Sequence, residues 1–234
     1  MAQMTFDARQ SPGERIAAYA FKLSKEDTFL RKIRKESDEH RAQHDCDVHP
    51  SSPVTGRLLN ILVRSTGARR VLEVGCGLGY SAIWIARALP PGGRVDTIEQ
   101  DPLHVKLASE NFKASGLRNR TRILRGEASS VLSRLKDRYD FIFEDATFGE
   151  RPRHYEDLIR LLRIGGYIQF ANWFPIEHAI VGGRSLKRWK KSFPTSSHAP
   201  AATQRFVAEV FLDMRLSAVL LPHIWNGIAV KIRN

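Results

Sequence analysis

Three alternating glycines, Gly75, Gly77 and Gly79, stand in the run Glu73-Val-Gly75-Cys-Gly77-Leu-Gly79-Tyr80-Ser81. Glycines at that spacing let a backbone turn tightly and approach a flat or anionic ligand just before a helix begins. A dinucleotide fingerprint would place a third small residue at position 80, where this chain has Tyr80. The spacing therefore favours a nucleoside without a pyrophosphate. Glu99 follows about 20 residues further on, at the end of VDTIE, where an acid can accept hydrogen bonds from both hydroxyls of a free ribose. Gly126-Glu127-Ala128 falls past a third apolar run, where a base would lie, and FEDA puts Asp145 past a fourth. Glu127 also reads as an acid complementing a helix dipole, and the two roles are compatible.

Such residues work only if one scaffold brings them to one edge. From residue 70, VLEV, VDTIE, TRILRG, YDFIFED and YIQFAN alternate with the amphipathic SAIWIARAL, PLHVKLASENFKA, SSVLSRL and YEDLIRLL. Short apolar runs separated by helices require a parallel sheet covered on both faces and joined by right-handed crossovers. Ligands of such α/β sheets bind outside the carboxyl ends of the strands. Gly165-Gly166 is expected to end the helix before the fifth strand. FVAEVFLDM and AVLLPHIWNGIAVKI read as strands of a closing antiparallel hairpin. The basic stretch from Gly182 to Arg205 reads as a helix followed by a loop. Ahead of the sheet, residues 12–45 carry Ile16, Ala17, Tyr19, Ala20, Leu23, Phe29, Leu30 and Ile33 at helical spacing, an amphipathic arm with a solvated charged face. Ser52 and Pro53 open a further helix.

The chain of 234 residues suits one α/β domain with additions. With 42% hydrophobic and 26% charged residues it is neither disordered nor fibrous. Neither membrane spanning nor export is expected, since no apolar run is long enough to cross a bilayer and MAQMTFDARQ lacks a basic region followed by an apolar stretch. Cys46 and Cys76 make no disulfide framework, so free thiols in a reducing cytoplasm are expected. His44, Cys46 and His49 are metal-ligand types at close spacing, yet no second pair with zinc-site spacing follows, so a metal is not expected there. A net charge of +12 favours polyanions such as RNA, or serves only solubility.

VLEVGCGLGYSA, IEQDP, RGEA, YDFIFEDA, LLRIGG and LLPHIWNGIAVK together resemble the class I S-adenosylmethionine-dependent methyltransferases, and within them the catechol and caffeoyl-CoA O-methyltransferase family, over roughly residues 50–234. The resemblance implies a Rossmann-like, doubly wound, seven-stranded sheet with an antiparallel C-terminal strand. It implies S-adenosylmethionine as donor, a small hydroxylated and perhaps aromatic acceptor, and a homodimer. On this reading residues 1–50 form a helical arm and 51–234 the methyltransferase domain. Glu73, Gly75, Gly77, Gly79, Tyr80 and Ser81 would hold the methionine end of the cofactor, Glu99 its ribose, and Glu127 and Ala128 its adenine. His49, Ser51 and Asp145 would border it.

Members of that family bind a divalent cation such as magnesium through one aspartate after the fourth strand and an Asp-Asn pair after the fifth, with a lysine nearby. Here Asp145 and Asn172 remain, whereas Ala171 and Phe148 replace the second aspartate and the lysine. One carboxylate and one amide make a poor cage for a hard cation. Without the cation another group must take the acceptor's proton, and the candidates are Asp145 and, on GERPRHYED, His154 or Tyr155. His154 also reads as an exposed histidine at a helix start. Phe148, Trp173 and Phe174 are either pocket wall or core. Two other functions stay open. One is an RNA-modifying methyltransferase, given Arg118, Arg120, Arg122, Arg125 and the run from Arg184 to Lys191. The other is a binding module that keeps the cofactor pocket without catalysis.

Overall fold

A computed structural model describes residues 12–46, 48–146, 151–222, 224 and 226–234. Position 148 and the first eleven residues lie outside them.

The described residues form a seven-stranded sheet of order β3-β2-β1-β4-β5-β7-β6. Its strands are β1 (Arg70–Val74), β2 (Arg94–Glu99), β3 (Thr121–Arg125), β4 (Tyr139–Glu144), β5 (Leu162–Phe170), β6 (Leu216–Leu221) and β7 (Asn226–Lys231). The first five pair in parallel, while β7 runs antiparallel to both β5 and β6. Strand order reverses between β1 and β4, which opens a crevice at their carboxyl ends, where ligands of open α/β sheets bind.

The helices are α1 (Pro12–Leu23), α2 (Thr28–His44), α3 (Pro53–Thr66), α4 (Tyr80–Ala86), α5 (Pro102–Ala114), α6 (Ala128–Leu132), α7 (Arg151–Leu161), α8 (Pro175–Val181), α9 (Gly183–Ser192) and α10 (Ala199–Leu212). Local chemistry sets several of their starts. Ser52 caps α3 by accepting from Thr55 N, with Pro53 in the first turn, and Asp101 caps α5 in the same way ahead of Pro102.

The arm is two helices rather than one. Lys25 takes a left-handed φ of 54°, and Asp27 then caps α2 by accepting from Leu30 N. The arm is also no loose appendage. Leu30 and Ile33 are fully buried against Cys76, Leu78, Tyr80 and Ile83, and Glu26 accepts from the Tyr80 hydroxyl at 2.8 Å.

Two further expectations are corrected. FVAEVFLDM lies mostly in α10, because Thr203, Phe206, Val207 and Val210 are buried at helical spacing; the hairpin is β6–β7 alone. Gly165-Gly166 lies within β5, and α7 ends at Leu161. At that point the β4–β5 register shifts, and a Cβ on Gly166 would sit 2.9–3.0 Å from the carbonyls of Arg163 and Asp140. Lys231 Nζ bonds the free carbonyls of Ile159 and Leu162, at 2.9 and 3.2 Å.

Candidate active site

The crevice between β1 and β4 is a cleft of about 560 Å³. Its walls are the glycine turn after β1, the ends of β2, β3 and β4, and the segment joining α2 to α3. Of the residues expected to hold a cofactor, Gly75, Gly77, Tyr80 and Ser81 line it from the turn. Glu99, Glu127 and Ala128 line it from the next two strand ends, and His49, Ser51 and Asp145 close the far side. Glu73 and Gly79 are not on its wall and support the turn from behind.

Gly75, Gly77 and Gly79 all have positive φ, of 94°, 51° and 89°, a region that suits glycine. Side chains would also collide there: a Cβ on Gly75 would meet Asp145 O at 3.0 Å, and one on Gly77 would meet Val48 at 2.9 Å. Glu99 organises the turn as well as facing the cleft. One carboxylate oxygen accepts from Gly77 N at 2.8 Å, and the other from Gln100 N and Asp101 N, each at 2.9 Å. A carboxylate offers about four acceptor positions, so one remains for a hydroxyl ligand. Glu73, fully buried beneath, accepts a 2.5 Å hydrogen bond from the Thr97 hydroxyl. Burial, joined by the charges of Asp145 and Glu99, pushes its pKa up to about 8, so it is mostly protonated at neutral pH. Glu127 joins a helix start to the cleft. It caps α6, accepting from Ser129 N and Ser130 N, which lowers its pKa, and it stands on the cleft wall.

Across the cleft, Asp145 is partly exposed and accepts from Ser51 Oγ at 3.1 Å and Asn172 Nδ2 at 2.5 Å. Desolvation raises its pKa most and the charge of Glu144 adds to it, while Arg151 and Ser51 oppose them; the outcome is about 7. Asn172 holds a left-handed φ of 57°, and Ala171 beside it is buried. Asp145 and Asn172 are thus bonded to each other, with no second carboxylate where the family's metal site has one. A hard cation takes six or more oxygen ligands. The residues present do not fit it.

His154 and Tyr155 are elsewhere than expected. His154 is fully buried, with Nε2 3.4 Å from Glu144 Oε1, and Arg151 Nε pairs with the same carboxylate at 2.8 Å. The two sit at the start of α7, whose inner face is driven under β4, so His154 is no exposed base facing the cleft. Tyr155 donates to Asp213 at 2.9 Å and packs edge-on against Phe206. That places it in the core. Trp173 is also core, stacked on Phe170 at 5.3 Å and leaving no room for a Cβ at Gly227. Phe174 turns toward Trp189, with ring centroids 5.7 Å apart.

Sequence reasoning missed the buried Glu144–Arg151–His154 group. It also missed the cleft residues contributed by the arm, Ser37 and Cys46, and His104 at the start of α5. Among the arginines offered for RNA, Arg122 is paired with the buried Asp96 at 2.7 Å, and Arg120 bonds the carbonyls of Ala86 and Leu89. Those two are structural.

A doubly wound sheet with a cleft at its switch point defines the class of α/β proteins that bind ligands at the carboxyl ends of their strands. The chain belongs to the O-methyltransferase family, whose model matches residues 22–232. It is similar to a Mycolicibacterium smegmatis protein provisionally named an O-methyltransferase, with 33% identity over 96% of this chain and 99% of that one. It is similar as well to a solved O-methyltransferase from Bacillus cereus in complex with S-adenosylhomocysteine, at 27% identity and a TM-score of 0.72, covering 93% and 97% of the two chains. TomG of Streptomyces achromogenes, an O-methyltransferase involved in tomaymycin synthesis and solved with S-adenosylmethionine, shares the fold at 23% identity and a TM-score of 0.76, over 96% of this chain and 100% of that chain.

Proposed function

We propose that this protein transfers a methyl group from S-adenosylmethionine to a hydroxyl of a small acceptor, with Asp145 as the proton acceptor and without a divalent cation. The observation that carries this reading is Asp145 itself, a carboxylate on the cleft wall with a pKa near 7, held by Ser51 and Asn172 beside the glycine turn. A general base works best when its pKa lies near the operating pH.

When bound, S-adenosylmethionine supplies an electrophilic methyl group on a sulfonium. The glycine turn admits a close approach of the backbone, Glu99 accepts from a ribose hydroxyl, and Glu127 and Ala128 flank the adenine. Asp145 takes the acceptor's hydroxyl proton onto a carboxylate oxygen, and the oxyanion so formed is the nucleophile. Ser51 and Asn172 hold that carboxylate in one orientation, so positioning supplies much of the rate.

Calorimetric titration of S-adenosylmethionine, with and without magnesium, tests the reading. Binding indifferent to magnesium supports it, and absence of binding rejects it. Binding without turnover on any hydroxylated acceptor would favour a non-catalytic module.

A second reading, an RNA-modifying methyltransferase, is favoured by α9. Arg184, Lys187, Arg188, Lys190 and Lys191 on that helix are exposed, with no ion pair among the described residues. RNA affinity that falls steeply with salt would support it. A homodimer belongs to the first reading. Phe211, Leu212 and Met214, exposed next to the sheet's outer strand β6, support it, and sedimentation measures it. A reducing cytoplasm fits the two unpaired cysteines. No helix among the described residues is long and apolar enough to cross a membrane.

A further inference from the structure

His40 faces inward from α2, Cys46 follows two residues after that helix, and His104 lies in the first turn of α5. Their side-chain ligand atoms all lie within 4.8 Å of one another. Both histidines are more than nine-tenths buried, while Cys46 is partly exposed and, with His104, lines the cleft. We propose that these three side chains bind one divalent transition-metal ion, zinc by ligand preference, which ties α2 to α5 beside Glu99.

Two observations point to a ligand at this place, and two more show how its residues are brought together. His104 Nε2 is buried and has no hydrogen-bond partner among the described residues, although buried polar atoms are almost always satisfied. Its other nitrogen, Nδ1, lies 3.7 Å from Glu99 Oε1. An imidazole with a carboxylate behind one nitrogen and the other nitrogen free toward a cluster is the arrangement of a metal-ligating histidine. The His40 ring stands 5.1 Å from that of His104 and 4.3 Å from that of His44, one helical turn on. Asp45, left-handed at φ 48°, ends α2 and turns the chain back, so that Cys46 returns to the His40 side.

The sequence put a different set side by side, His44, Cys46 and His49, and gave no expectation of a metal there. His49 is drawn instead to Arg41, with Nδ1 2.9 Å from Nη1, and the thiol's partners come from one turn earlier in α2 and from an element 58 residues away. A thiolate with imidazoles selects zinc or cobalt and rejects magnesium, the reverse of the oxygen donors at Asp145 and Asn172. Tetrahedral zinc, with bonds of about 2.0–2.3 Å, needs ligand atoms roughly 3.3–3.6 Å apart. The cluster therefore contracts by about 1 Å on binding, through side-chain rotation chiefly at Cys46. Cys46 releases its thiol proton to solvent, the imidazoles bind neutral, and nothing is oxidised or reduced.

The test uses the full chain stripped with a chelator and needs no adenosyl compound, so its outcome is separate from that of the methyl-transfer reading. Cobalt(II) added to the protein is expected to give one equivalent of binding, with a thiolate-to-cobalt charge-transfer band and the strong visible bands of a tetrahedral site, and zinc should erase both. Cys46→Ser should abolish the charge-transfer band and weaken zinc ~100-fold or more, and His104→Asn should weaken it comparably. Asp145→Asn should keep the full cobalt spectrum, which locates the ion away from the acceptor side of the cleft. Zinc should raise the melting temperature of the wild type and leave that of Cys46→Ser unmoved. A wild-type protein with no thiolate-to-cobalt band, or zinc affinity unchanged in a folded Cys46→Ser variant, would overturn the proposal; the wild-type spectrum decides even if the variants fail to fold.

Discussion

The two sides of the cleft are built differently. On the β1–β3 side, ligand-facing groups come from short consecutive stretches, and much of what they offer is backbone, held by one acid that bonds Gly77, Gln100 and Asp101 at once. On the β4–β5 side the site is made of side chains far apart in sequence. Asp145 is held by Ser51, 94 residues away, and by Asn172, 27 residues away, above a buried group in which Glu144 faces Arg151 and His154. A backbone cradle tolerates little change in sequence, because glycine is the residue that fits its φ values. A side-chain constellation can be rewired one residue at a time on the same strands, which is how one fold serves many acceptors.

The sharpest way to break this contrast is Asp145→Asn. If the two halves divide binding from chemistry, kcat should fall by about 10²–10⁴-fold while S-adenosylmethionine affinity changes little. In the wild type kcat/KM should rise with pH and level off above about 7, since the base works as the carboxylate. A loss below tenfold would remove Asp145 from the chemistry. Glu99→Ala should do the converse, weakening the cofactor ~100-fold by calorimetry, because charge-assisted hydrogen bonds contribute about 1.5–3 kcal/mol each.

His154→Gln probes the foundation of the acceptor side. The side chain is buried against Glu144, so thermal or urea unfolding should show a loss of ~1–3 kcal/mol, with the pH profile of kcat/KM unmoved. A shifted profile would return His154 to the chemistry. At Glu73 the expected effect is on stability alone and depends on pH. With a pKa near 8 in the fold and an ordinary one when unfolded, the unfolded chain binds fewer protons between those values. Stability should therefore fall as pH rises from 5 to 8, by roughly 2–4 kcal/mol, and Glu73→Gln should flatten that slope.

The same contrast explains what the sequence made legible. The sheet, its order of strands and helices, and the cofactor side followed from periodicity and from one glycine turn with one acid, since each is encoded within about 30 residues. Asp145 was visible because it ends a strand. His154 and Tyr155 were misplaced because GERPRHYED carries charges that look solvent-facing, while tertiary contacts turn Arg151 and His154 inward onto Glu144. Phe206 to Met214 read as strand from its Phe and Val content, and only burial on one helical face distinguishes it. The His40–Cys46–His104 cluster was out of reach, since no spacing rule joins α2 to α5.

The arm's seat on the glycine turn also orders events during synthesis. Leu30 and Ile33 bury themselves against residues that include Ile83, Ala108 and Phe112, the last nearly eighty positions downstream of Ile33. At 5–20 residues per second the ribosome needs roughly 4–16 s to deliver that partner after Ile33 is joined. An early helix thus waits for later ones before it finds its place. A nascent chain of this protein carries, for those seconds, a greasy stripe on α2 that a chaperone or a neighbouring polysome product can reach.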